Sequence, residues 1–189
     1  MLNEVKKSLL ESPIVKKGEY NYFVNPISDG VPSMDPIVLR EIVLAIHRHV
    51  DLNFDKIVAV EAMGIHLATA LSLETNIPFV IIRKRSYGLP GEKEVYQKTG
   101  YGSSNLYIND LHEGDKILLI DDVVSTGGTY IALINTLRDM GVEIKSAVAV
   151  IDKGEGNEIV KAETGVDILS IIKLDVVDGK VVIESTIDD

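Results

Sequence analysis

Four short, nearly unbroken apolar runs mark the chain, at 57–60, 79–82, 117–120 and 147–151, with a weaker fifth at 168–172. They are rich in β-branched residues and apolar at consecutive positions, the pattern of strands covered on both faces. Between them the apolar spacing turns helical. Ser33 is placed to cap a helix that takes Pro36 into its first turn and continues through Arg48, with Leu39, Val43, Ile46 and Val50 on one face. Further helices are expected over 65–74, from Gly128 to a stop at Gly141 with Ile131, Ile134, Leu137 and Met140 on one side, and over 157–163. Strands alternating with helices imply right-handed βαβ units. The fold class is therefore α/β: a doubly wound, mainly parallel five-stranded sheet flanked by helices, in a single domain over 1–189.

Two segments break the alternation. Residues 13–32 set Pro, Gly and Asn-Pro punctuation around aromatics and read as a small irregular lobe. Residues 86–108 are rich in Gly and Tyr and too long for an ordinary connection, which points to a functional lid or hairpin. The tail, KLDVVDGKVVIES, reads as a hairpin turning at Asp178-Gly179.

Composition narrows the chemistry. With 46% apolar and 25% charged residues, the 189-residue chain has enough apolar sequence for a buried core. The net charge of −10 disfavours nucleic acid and anionic membranes as partners, so any phosphate must be held by a local site that overcomes the global field. There is no cysteine, which removes disulfides, thiolate metal sites and thiol catalysis. Residues 1–13 lack the apolar core of a signal peptide and no apolar run approaches a membrane span, so a cytoplasmic protein is expected.

The chemistry concentrates in KILLIDDVVSTGGTYIALINTL, residues 116–137. An apolar strand leads into Asp121 and Asp122, then Val123 and Val124, then the run Ser125, Thr126, Gly127, Gly128 and Thr129, then an amphipathic helix. Glycines allow a tight turn with N–H groups pointing inward, the threonine hydroxyls add donors, and the helix N-terminus adds a favourable field for an anion. The two carboxylates upstream repel a phosphate but accept hydrogen bonds from vicinal sugar hydroxyls. In sequence, the pieces form a cradle for a ribose 5-phosphate. No Gly-Lys-Ser/Thr follows, which excludes a Walker loop, and the glycine spacing does not match the dinucleotide fingerprint.

LLIDDVVSTGGTY resembles the phosphoribosyl pyrophosphate (PRPP) signature of the type I phosphoribosyltransferases. KIVAVEAMGIHLATAL is similar to the strand and loop that hold pyrophosphate in that family. IIRKRSYGLPGE resembles the start of the flexible active-site loop in its adenine enzymes, TGYGSSNLYI the returning arm, and GEYNYFVNPISDGVPSMDP the N-terminal hood. The likeness is closest to the archaeal hypoxanthine branch, which shares the adenine-enzyme plan. It implies purine salvage, with ribose 5-phosphate passing from PRPP to hypoxanthine or guanine. Mg²⁺ would be carried mainly by the substrate, with no direct protein ligand, and the enzyme would be a homodimer. The implied site comprises Asp121 and Asp122 as catalytic residues and 123–129 around the 5′-phosphate. Glu61, Ala62, Met63, Gly64, Arg83 and Lys84 would take the pyrophosphate, and Lys153, Tyr20 and Tyr22 the purine.

Lys153, just past the fourth strand in AVAVIDKGEG, has an ammonium that donates only, which suits the O6 acceptor of a 6-oxopurine and opposes the amino group of adenine. Phe23 joins Tyr20 and Tyr22 as a hood aromatic able either to stack on a base or to fill the core of the small lobe. Two departures from the family pattern stand out. Gly100, before Tyr101, replaces the glutamate of the adenine enzymes, and Ser125 replaces the aspartate that serves other hypoxanthine-guanine enzymes as candidate proton acceptor. Met63 also stands where the adenine enzymes commonly carry arginine. Adenine or xanthine as the base, or a non-catalytic PRPP-sensing regulator, are the alternatives. His66 follows the pyrophosphate loop and could approach it, but a place on the helix surface is the first expectation.

Overall fold

In a computed structural model of the chain, residues 2–17, 20–99 and 102–189 are described, with the side chains at 17, 20, 21, 98 and 99 outside that description. In chain order the elements are α1 (Asn3–Leu10), β1 (Ile14–Lys17), β2 (Tyr20–Phe23), α2 (Pro26–Asp29), α3 (Pro36–His49), β3 (Lys56–Val60), α4 (Gly64–Thr75) and β4 (Phe79–Ile82). They continue with β5 (Lys93–Thr99), β6 (Gly102–Ile108), β7 (Lys116–Val124), α5 (Gly128–Asp139), β8 (Glu143–Lys153), α6 (Gly156–Thr164), β9 (Ile168–Val177) and β10 (Lys180–Thr186).

The five apolar runs form β3, β4, β7, β8 and β9, every neighbouring pair parallel. The expected tail hairpin adds β10 antiparallel to β9, giving a six-stranded sheet in the order β10-β9-β8-β7-β3-β4. Asp178 and Gly179 both take positive φ, 50° and 71°, as a two-residue hairpin turn of this hand requires. From β3 the chain steps outward to β4, then returns to the other side of β3 with β7 and continues to β8 and β9. The order therefore reverses between β3 and β7, and the carboxyl ends of those two strands open the crevice where doubly wound sheets bind ligands.

Each sheet face carries its own core. One gathers Ile42, Ile46, Ile57, Leu67, Leu118, Ile120 and Val148 under α1, α3 and α4. The other gathers Val58, Leu119, Tyr130, Leu133, Ile134 and Val160 under α5 and α6. Each fully buried Leu or Ile contributes about 2 kcal/mol relative to exposure. Asp35, and not Ser33, caps α3: its Oδ1 accepts from the Ile37 N–H at 2.8 Å. Pro36 is preorganised for the first helical position, which makes the residue directly before it the cap. The buried stripe is Val38, Ile42, Val43, Ala45 and Ile46, so Leu39 lies at its margin.

The apolar periodicity of the first residues also forms a helix, α1, which buries Val5 and Leu9. Glu41 Oε2 of α3 accepts from the N–H groups of Glu4 and Val5, both at 3.0 Å, and so caps α1 from outside. The irregular lobe is the antiparallel pair β1–β2 followed by α2, with Asn25 capping α2 at 3.0–3.1 Å. The 86–108 segment contains the antiparallel pair β5–β6, whose Val95, Leu106 and Ile108 are buried in the α5 core. Among the described residues no helix is long and apolar enough to cross a membrane.

Candidate active site

β7 runs through the acidic pair instead of ending at it. Asp121 pairs with Ala149, Val123 with Ile151 and Val124 with Asp152 of β8, so Val123 and Val124 are sheet residues and the open turn starts at Ser125. The long register of β8 draws β7 out by these extra residues. Asp122 is buried, and its N–H donates to Asp121 Oδ1 at 3.0 Å. Burial, then the adjacent Asp122 carboxyl, push Asp121 well above the ordinary carboxyl range, with Lys84 acting in the opposite direction. Burial also raises Asp122, countered by a hydrogen bond from the Ser28 hydroxyl and by His66. Two crowded acids at a strand end favour any donor or cation that comes to them.

The turn after them is shaped for an anion. Gly127 is the N-cap of α5 in the left-handed conformation, φ 74°, and among the described residues no side chain caps this helix. The first-turn N–H groups of α5 are thus left for an outside acceptor. The turn is wedged from behind by α6. A Cβ on Gly156 would fall 2.7 Å from Ser125 O and 2.8 Å from both Ser125 N and Val124 C, so only glycine allows this approach. The Tyr130 hydroxyl donates to Val148 O at 2.6 Å and ties α5 to β8. Of the two expected threonine donors, Thr129 turns its hydroxyl to Gln97 Oε1 of β5, at 2.7 Å.

The β3–α4 connection lies directly alongside. Gly64 opens α4 so close to β7 that a Cβ there would sit 3.0 Å from Ile120 O and 3.3 Å from Asp121 Oδ1. Met63 precedes the helix, which has no side-chain cap among the described residues, and the Glu61–Ala62 peptide is cis. Glu61 serves the neighbouring strand end: its Oε2 lies 3.1 Å from Arg83 Nε and accepts from the Lys84 N–H at 2.8 Å. Arg83 is therefore spent on Glu61 in this arrangement, while Lys84 keeps its field on Asp121.

On the far side of the crevice, Lys153 leaves β8 with its Nζ 5.6 Å from the centroid of the buried Phe23 ring of β2. Its neighbour Asp152 is buried toward α6 and accepts from the Asn157 N–H at 3.3 Å. Alternation along the strand thus turns the lysine to the hood. Tyr22 donates its hydroxyl to Asp29 Oδ1 at 2.7 Å, bracing the hood internally. The Tyr20 side chain and the Gly100-Tyr101 position lie outside the described residues.

Three contributors escaped sequence reasoning: Ser28, which reaches Asp122 from the hood; Gln97; and Gly156. His66 is not the surface histidine expected. Its Nε2 is buried without a hydrogen-bond partner among the described residues, and burial lowers its pKa against the pull of Asp122. A serine after Asn-Pro or a glycine before a helix carries no signal of a contact made across the fold.

Comparison with known proteins matches residues 36–180 to the family described as phosphoribosyl transferase domain. The hypoxanthine/guanine phosphoribosyltransferase of Methanobacterium lacus is 58% identical over 189 residues, covering 100% of both chains. That of Methanocaldococcus infernus is 58% identical over 182 residues, covering 96% of this chain and 100% of its own. Among solved structures, the adenine phosphoribosyltransferase of Thermoanaerobacter pseudethanolicus superposes with a TM-score of 0.76 at 24% identity, covering 92% of this chain and 99% of its own. The Giardia lamblia enzyme complexed with 9-deazaadenine gives 0.76 at 21%, covering 89% and 97%. These two structures share the fold.

Proposed function

The chain belongs to the phosphoribosyltransferase family, and from that premise we propose that it is a purine-salvage enzyme, transferring ribose 5-phosphate from PRPP to hypoxanthine or guanine with release of pyrophosphate. One observation carries the site assignment. Gly64 of the β3–α4 connection sits against Asp121 at the reversal of strand order, so the two loops face one crevice. A single molecule with a phosphate at one end and a pyrophosphate at the other spans them.

The uncapped N-terminus of α5 and the 125–129 turn take the 5′-phosphate. Asp121 and Asp122 accept hydrogen bonds from the ribose hydroxyls and face the cationic character that develops at C1 as its bond to pyrophosphate breaks. The N-terminal turn of α4, with residues 61–64 and Lys84, receives the leaving group. Mg²⁺, when bound, supplies neutralisation of pyrophosphate charge. The acidic pair fits such a cation, because two crowded, buried carboxyls are relieved by positive charge. Lys153, held over Phe23, donates to O6 of the purine, whose ring nitrogen forms the new bond to C1 as the C1–pyrophosphate bond breaks, and its proton is released to water. The hood closes over the acids through Ser28. The family resemblance also supports a homodimer, which sedimentation tests.

Offering hypoxanthine, guanine, xanthine and adenine in turn with PRPP and Mg²⁺, and following pyrophosphate release, tests the reading. Hypoxanthine and guanine should turn over fastest. Adenine turned over equally well overturns the assignment of Lys153, and turnover of no purine overturns the activity.

A further inference from the structure

The β5–β6 hairpin is exposed along most of its length, yet Gln97 within it is 5% exposed. Both ends of its amide are engaged. Nε2 donates to Ser104 Oγ on the opposite strand at 2.9 Å, and Oε1 accepts from Thr129 Oγ1 at 2.7 Å. Ser104 is the residue directly across from Gln97 in the β5–β6 register. The amide is thus held from one side by the hairpin and presents a single acceptor to the second residue of α5. That residue belongs to the turn whose N–H groups are left for an outside anion.

We propose that Gln97 is a positioning residue for ribose-phosphate binding: acting through Thr129, it fixes the start of α5 and the set of the 5′-phosphate turn, and so couples that turn to the hairpin. The inference rests on the reading that the 125–129 turn takes the 5′-phosphate. A threonine hydroxyl in the first turn of a helix rotates freely among several acceptors. Locked onto Gln97, it removes one source of play from the turn, which meets the phosphate already arranged. A buried amide deprived of either partner would cost more than the bond itself, so hairpin and turn hold each other. The hairpin also packs on the α5 side of the sheet through the buried apolar residues Val95, Leu106 and Ile108.

The test is a double-mutant cycle with Gln97→Met and Thr129→Val, reading PRPP affinity in the presence of Mg²⁺ together with kcat and the KM for hypoxanthine. Gln97→Met should weaken PRPP binding about tenfold, with kcat and the hypoxanthine KM held within about threefold. In the Thr129→Val background it should have no further effect, the signature of action through that hydroxyl. Gln97→Glu gives a second handle. Ionised, it places a charge beside the phosphate; protonated, it restores an acceptor for Thr129 and a donor for Ser104. Its PRPP affinity, relative to the unsubstituted enzyme at each pH, should recover as pH falls through the carboxyl titration. Wild-type PRPP affinity in Gln97→Met, a full-sized effect on top of Thr129→Val, or a pH-independent Gln97→Glu defect overturns the inference. Backbone amide resonances of 126–129 separate this from failure of the underlying reading. If they do not shift in the unsubstituted enzyme when a purine mononucleotide is added, the turn is not the phosphate site at all.

Discussion

Replacing Gly156 by alanine tests how rigidly α6 sets the turn at Ser125. The added methyl falls 2.7 Å from Ser125 O and 2.8 Å from Ser125 N. Against an ordinary non-bonded separation of about 3.5 Å, something must retreat by roughly 0.7 Å. The atoms in the way are backbone and cannot rotate aside. α6 is itself pinned, since Asn157 donates to Ile168 O and accepts from Ile168 N, both at 2.8 Å, and Val160 is fully buried. The turn therefore yields. Overpacking of this kind costs about 1–3 kcal/mol, offset by up to about 1 kcal/mol from the better helix former. A net loss near 1–2 kcal/mol lowers the melting temperature by about 3–6 °C in a chain of this size. A displacement of that size at a phosphate cradle should raise the KM for PRPP at least tenfold, with a much smaller change in the KM for hypoxanthine. Thermal unfolding and steady-state kinetics with each substrate varied give both numbers. A folded Gly156→Ala enzyme with an unchanged KM for PRPP would refute the placement of the phosphate at this turn.

Asp121→Asn should abolish most transfer while stabilising the unliganded protein. Asp121 is raised in the folded state above its ordinary value of 3.8, so the fold retains a proton that the unfolded chain loses and stability falls as pH rises from about 3.8 through the folded pKa. The gain in melting temperature should therefore be present at pH 8 and vanish near pH 3, and a constant gain would contradict the burial account. Gly64→Ala presses Asp121 Oδ1 and Ile120 O by only a few tenths of an ångström; kcat/KM should fall about tenfold with stability changed by less than about 1 kcal/mol, measured by kinetics beside thermal unfolding. Lys153→Glu should cut kcat/KM for hypoxanthine by about 100-fold and spare adenine; a uniform loss across purines in the same assay would place base choice elsewhere.

Much of this molecule is legible in the chain because its signals are local. The five strands carry continuous apolar runs, α5 follows directly from the glycine turn, and Asp178-Gly179 declares its hairpin. The acidic pair and the turn after it are contiguous, so their joint chemistry can be read from one stretch. What stays hidden depends on distant partners. Ser28 meets Asp122, Gln97 meets Thr129 and Glu61 takes Arg83 only once hood, hairpin and strand ends are brought to one crevice. The length of β7 is set by its ladder with β8, not by its own apolar run, which is why Val123 and Val124 are sheet and not loop. α1 is capped by Glu41, more than thirty residues away, and its stability lies in that contact and in the core beneath it.

A crystal structure of the protein with a purine mononucleotide and Mg²⁺ addresses the account at its centre. The 5′-phosphate should lie against the N–H groups of 126–129, the ribose hydroxyls on Asp121 and Asp122, and O6 within hydrogen-bond reach of Lys153 Nζ. A nucleotide bound with full occupancy anywhere else, with the turn between β7 and α5 left empty, would contradict it.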